Sequence, residues 1–74
     1  MEEFLRYVVQ GLVEHPADAV IDRVEKEGGS AYLLSLSGED TGRFIGRSGA
    51  TIQAVRTLLS AASKGEKFTV DVRD

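Results

Sequence analysis

Eleven consecutive residues, Gly42-Arg43-Phe44-Ile45-Gly46-Arg47-Ser48-Gly49-Ala50-Thr51-Ile52, carry the residue types and spacing in this chain that best suit a ligand. Helical patterns lie on both sides, so two helices meet through a very short connection with a glycine at each end. Glycine admits backbone angles closed to other residues, and its missing side chain lets a sugar-phosphate come close to the main chain. The connection leads into the start of the second helix, where unpaired N–H groups and the helix dipole favour an anion. Arg47 adds a charged donor at the tip and Ser48 a hydroxyl, while Ile45 and Ile52 can anchor the two helices beneath. Arg43 within the stretch and Arg56 just beyond it supply weaker supporting charge. Such a site recognises a backbone; it does no chemistry on it. The competing reading is a tight helix–helix corner in which the glycines only stop and start helices, with Arg43 and Arg56 solvated.

The elements that must position this segment follow from periodicity. Phe4, Leu5, Val8, Val9, Leu12 and Val13 form one stripe on a helix over about 2–14, stopped by Pro16. Residues 19–27 and 30–37 read as a hairpin about Gly28-Gly29, with Tyr32, Leu34 and Leu36 on one face. Ser37 can cap the next helix, and Asp40 suits the positive end of its dipole. That helix is short, ending near Gly46; the second begins near Gly49 or Ala50 and carries Ile52, Val55, Leu58, Leu59 and Ala62. The helix–connection–helix unit spans about 39–63, with Gly65 beyond its end. Phe68, Val70 and Val72 alternate with Thr69, Asp71 and Arg73 as a half-buried strand. The order helix-strand-strand-helix-helix-strand predicts an α+β domain over 1–74, a three-stranded sheet with helices on one face. The helical pair is long enough to bring the last two strands parallel.

Composition narrows the function classes. Hydrophobic residues at 42% and charged residues at 28% fit an ordinary globular domain, and the absence of cysteine excludes disulfides and Cys-based zinc sites. The single histidine, His15, lacks patterned acids around it in sequence and is set aside as a metal ligand. No Cys/His pair, triad, P-loop or dinucleotide fingerprint is present, so neither an enzyme nor a cofactor is expected. The start Met1-Glu2-Glu3 is acidic where an export signal is basic, and no apolar run suits a membrane; a cytoplasmic location is the expectation. Net charge is −3, yet residues 41–63 contain three arginines and no acid. With a screening length of about 8–10 Å, a ligand there feels that local charge more than the distant acids.

The segment Ile45-Gly46-Arg47-Ser48-Gly49-Ala50-Thr51-Ile52 resembles the KH signature I-G-x-x-G-x-x-I, and the element order resembles the type II KH topology. In length and outline the chain is similar to the small stand-alone bacterial KH proteins of the KhpA (YlqC) family. The resemblance implies binding of single-stranded RNA, the GxxG loop clamping about four nucleotides. It places Gly46, Arg47, Ser48 and Gly49 in the clamp, with Ile45 and Ile52 as apolar support. It further implies an RNA chaperone or post-transcriptional regulator. Homodimerisation, pairing with the larger KH-containing protein KhpB (Jag/EloR) and a part in cell-shape and cell-wall control come with it. The alternative is a KH-shaped protein–protein or dimerisation module whose groove is not used for RNA.

Overall fold

The computed structural model describes residues 1–73, and the backbone alone of Arg47. Helix α1 (Glu2–Leu12) is followed by a single 3-10 turn at Pro16–Asp18 and by strands β1 (Val20–Lys26) and β2 (Gly29–Ser35). A long helical span, α2 (Gly38–Ala62), then crosses to strand β3 (Phe68–Val72). The sheet runs β1-β2-β3, with β1 antiparallel to β2 and β2 parallel to β3, as the crossover length predicts.

Alternation along the strands sets what the sheet buries. Tyr32 pairs with Val70 and Leu34 with Val72, and the buried Tyr32, Leu34 and Val70 meet Leu5, Val9, Phe44, Val55 and Leu59 from the helices. The opposite face keeps Val24, Thr69 and Asp71 in solvent. The hairpin turns tightly at Gly28, where φ is +92°. Gly29 is needed for a different reason: a Cβ there would stand 2.4 Å from the Lys67 carbonyl oxygen, which accepts from the Ser30 amide at 3.2 Å.

Phe44 is the largest side chain fully buried. Truncating such a residue to alanine costs about 3–5 kcal/mol. A domain of this size has only about 4–11 kcal/mol in total. The N-terminal stripe is less uniformly buried than its pattern predicts. Leu5, Val9 and Val13 enter the core, whereas Phe4 and Leu12 remain more than a third exposed.

Helix α1 ends at Leu12, two residues before the predicted limit, and the cause is Asp40. Its side chain is fully buried and accepts hydrogen bonds from the backbone N–H of Glu14 and of His15, both at 3.0 Å. Those two amides would otherwise continue the helix; Val13 N–H still bonds back to the Val9 carbonyl. Asp40 also accepts from Ser37 Oγ, while its own N–H bonds to that oxygen, both at 3.2 Å. Ser37 therefore caps α2 as its position predicts. Arg43 completes the set at 3.1 Å from Asp40 Oδ1. No helix among the described residues is long and apolar enough to cross a membrane.

The backbone N–H of Glu14 holds the Asp40 carboxyl below its ordinary value of 3.8, helped by His15 N–H and Ser37 and opposed by burial. A carboxylate with a lowered native pKa leaves the unfolded state binding more protons at acid pH. Its stabilisation is therefore complete above about pH 4 and lost as pH falls through the native value. Asp40→Asn removes the charge and one acceptor, so the melting temperature should drop at pH 7. The gap from the parent protein should narrow as pH falls below about 4. Thermal melts across that range check this; a gap independent of pH would exclude the role.

Candidate nucleic-acid interface

Helix α2 carries the predicted clamp, but the chain turns later than glycine spacing suggests. The backbone stays right-handed through Gly46, and the reversal falls on two consecutive residues, Ser48 with φ +60° and Gly49 with φ +73°. Gly46 therefore does not end a helix. An L-residue in left-handed geometry costs roughly 1–2 kcal/mol, so Ser48 holds local strain; Gly49 does not. Beyond Gly49 the right-handed helix resumes, with Ile52 buried beneath the turn. A Cβ on Gly49 would lie 3.4 Å from Ile52 Cγ2.

Gly46 has a different character. Nothing lies within 4 Å of the place its Cβ would occupy, and the same holds for Gly42 and Gly38. These three glycines recur every fourth residue, which stacks them on one helix face. Helix propensity disfavours glycine by about 1 kcal/mol per residue against alanine, and no packing among the described residues demands it here. The stripe leaves α2 bare along one wall of an open groove of about 700 Å³, lined also by Thr41, Ile45, Ser35, Leu36 and Arg73. This stripe was readable in the sequence as Gly38-x3-Gly42-x3-Gly46, whereas motif spacing alone draws attention to Gly46 and Gly49.

The structure assigns the remaining candidates to different tasks. Ile45 is 42% exposed and forms groove wall; Ile52 and Phe44 supply the anchoring expected of the flanking isoleucines. Arg43 stands beside the turn with Gly42, Gly46 and Thr51, its guanidinium held by Asp40 and, at 3.5 Å, by Glu14 Oε1. Arg56 is turned to β3. Its Nε and Nη2 donate to the Val70 carbonyl at 2.9 and 2.7 Å, and Nη2 also to Asp71 Oδ1 at 3.0 Å. It thus ties α2 to the free edge of the sheet and is not brought together with the turn's other candidates. The side chain of Arg47 lies outside the described residues.

Two other places merit comparison with the groove. Another open cleft, of about 640 Å³, follows β3 past Arg56, Lys67, Glu66 and Asp71. Its mixed charges suit a phosphate chain less well than the acid-free wall of α2. Glu14, His15 and Glu39 bring metal-ligand atom types within 4.8 Å of one another, which the sequence did not reveal because Asp40 joins distant segments. All three are exposed. Glu14 already faces Arg43, and Glu39 faces His15 at 3.4 Å, the pattern of ordinary surface ion pairing. Arg73 is the residue that sequence reasoning passed over. Its N–H bonds to the Leu34 carbonyl at 2.7 Å and its Nε to Ser35 Oγ at 3.2 Å, placing it on the groove wall opposite α2. Only the parallel pairing of β3 with β2 brings it there.

Comparison with known proteins agrees with this architecture. Residues 2–73 match the family model described as KhpA/KhpB, KH domain. A relative from Leifsonia xyli subsp. xyli, named RNA-binding protein KhpA, is 41% identical over 70 residues, covering 95% of this chain and 92% of its own. One of the same name from Listeria monocytogenes is 46% identical over 68 residues, covering 90% of both chains. A third, from Thermotoga maritima, is 38% identical over 61 residues, covering 82% of this chain and 81% of its own. No solved structure matches. With a helical turn, a mixed sheet and a sequence that all agree, the chain belongs to the KhpA/KhpB KH-domain family.

Proposed function

We propose that the chain binds single-stranded RNA along the α2 groove, clamped at Gly46-Arg47-Ser48-Gly49. The bare wall of Gly38, Gly42 and Gly46 carries this reading, because the fold itself offers no reason for open glycine there. Phosphates follow the main chain of the turn and the amides of the resumed helix, with Arg47 supplying charge. Bases lie over Ile45 and Leu36. The relatives' shared name supports the same reading. Family membership supports a role as an RNA chaperone or post-transcriptional regulator in the cytoplasm, acting as a homodimer or with KhpB in cell-shape and cell-wall control. A KH-shaped protein–protein module is the second reading, favoured by the exposed Phe4, Tyr7 and Leu12 on α1.

Replacing Arg47→Asp and Ser48→Asp together separates the two. Aspartate accepts left-handed geometry more readily than serine, so the turn should persist while repelling phosphate. RNA crosslinking should be lost with circular dichroism and self-association unchanged; equal crosslinking by the folded double variant favours the protein–protein reading. If two or three phosphates are contacted, raising salt from about 50 to 200 mM should weaken binding roughly 7- to 20-fold, and titrations at both salts give the slope.

The glycines should part company under substitution. Gly46→Ala fills open space on a helix and should raise the melting temperature by roughly 4–8 °C. It should also weaken RNA binding by about tenfold, a loss near 1.4 kcal/mol. Gly49→Ala should destabilise by about 1–2 kcal/mol through its left-handed backbone. Melting curves paired with binding titrations read both effects, and undiminished RNA binding by Gly46→Ala would remove the case for close approach.

A further inference from the structure

From the position of Arg73 across the groove from α2, we infer that its guanidinium reads base identity, selecting cytosine or guanine over adenine and uracil. The inference rests on RNA lying in the groove as proposed above. Arg73 is the sole charged residue among the described residues lining that groove. It shares the wall with Ser35 and Leu36 and faces Thr41, Ile45 and Gly46. Its backbone is fixed by the ladder bond to Leu34, and its Nε by Ser35 Oγ at 3.2 Å. That leaves the two terminal nitrogens, which have no partner among the described residues, to donate side by side.

A guanidinium fork is donor-only and planar, so it matches an edge with two adjacent acceptors. Guanine presents such a pair at N7 and O6, and cytosine at N3 and O2. On its Watson–Crick and Hoogsteen edges adenine sets the N6 donor beside the N1 or N7 acceptor, and the N3–H of uracil separates its two carbonyl oxygens. Unstacked bases in single strands expose these edges to side chains. Phosphate contact by Arg73 is the competing use of the same fork, but in the binding mode proposed above the phosphates are held by the turn and the amides of the resumed helix. Ile45 and Leu36 supply the apolar surface on which a base can rest between the two.

The test uses the full chain and fluorescein-labelled RNA octamers in anisotropy titrations at one fixed salt concentration. The probes are all-cytosine, all-adenine and all-uracil octamers, and a uracil octamer with one central guanine. The parent protein should bind the cytosine and guanine-containing strands roughly 5- to 30-fold more tightly than all-adenine or all-uracil, the lower part of the range for a bidentate base contact. Arg73→Met, which keeps an apolar stem but has no hydrogen-bonding head, should bring all four within about twofold of one another while changing all-uracil binding less than threefold. Arg73→Lys, which keeps the charge but lacks the fork, should lose the preference too. Circular dichroism confirms that both variants fold.

Equal weakening on all four strands by Arg73→Met would reassign Arg73 to phosphate and overturn the inference. Equal affinities in the parent protein would do the same, leaving the groove as an RNA site without this selectivity. No binding of any strand by the folded parent protein would overturn the groove reading itself, and this inference with it.

Discussion

One buried carboxylate organises this small domain. Asp40 holds the amides of Glu14 and His15, the hydroxyl of Ser37 and the guanidinium of Arg43. It fixes in a single cluster the end of α1, the start of α2 and the chain between them. A buried charge is costly unless its lone pairs are filled, and here four donors surround it. One helical turn further, Phe44 faces the same way and fills the core against Leu5, Val9 and Leu34. The polar fastening and the apolar anchor together set the rotation of α2 about its axis. That rotation leaves Gly38, Gly42 and Gly46 on the outer side, so the groove wall follows from what the opposite side must bury.

This coupling explains how a thin core tolerates a costly segment. A left-handed Ser48 and three helical glycines each oppose folding by about 1 kcal/mol or more. Their sum is a large part of a stability of about 4–11 kcal/mol. Local strain of this kind survives only where surrounding structure determines it from both sides. Before the turn stand Asp40 and Phe44; after it come Ile52, Val55 and Leu59, all buried. Arg56 adds a third fastening by seizing a backbone carbonyl on the free edge of β3. Capping that edge also blunts a surface on which another strand could pair.

Much of this was legible from residues close in sequence. The hairpin, the Ser37 cap and the parallel crossover each depend on local pattern or element length, and each formed; the turn in α2 falls instead on Ser48 and Gly49, with Gly46 still helical. What escaped were side chains whose partners lie far along the chain. Asp40 looks like a dipole-neutralising residue, yet its main acceptors' partners are 25 and 26 positions away. Arg56 looks solvated until β3 is laid beside α2. Arg73 looks like an outward residue of a terminal strand until register places Ser35 next to it. Ile45 was credited with support on motif position. Helical phase instead gives that task to Phe44, four residues after Asp40, and turns Ile45 to the groove.

These pairings change how the chain's charge should be understood. Three arginines in an acid-free stretch suggest a local field of +3, but sequence distance is not spatial distance. Arg56 is neutralised by Asp71, and Arg43 is shared between Asp40 and Glu14. Paired charges of this kind project little beyond a Debye length. Among the described residues, a polyanion approaching the turn would therefore meet few free cations, and long-range attraction would contribute little to holding it. The weight shifts to short-range features: bare helix backbone, the dipole of a resumed helix and a groove whose lining contains no acid among the described residues. Those act only at contact, where shape and hydrogen-bond pattern decide. An acidic domain built this way lacks the indiscriminate grip of a basic surface, and the proposed binding would rest on geometry instead.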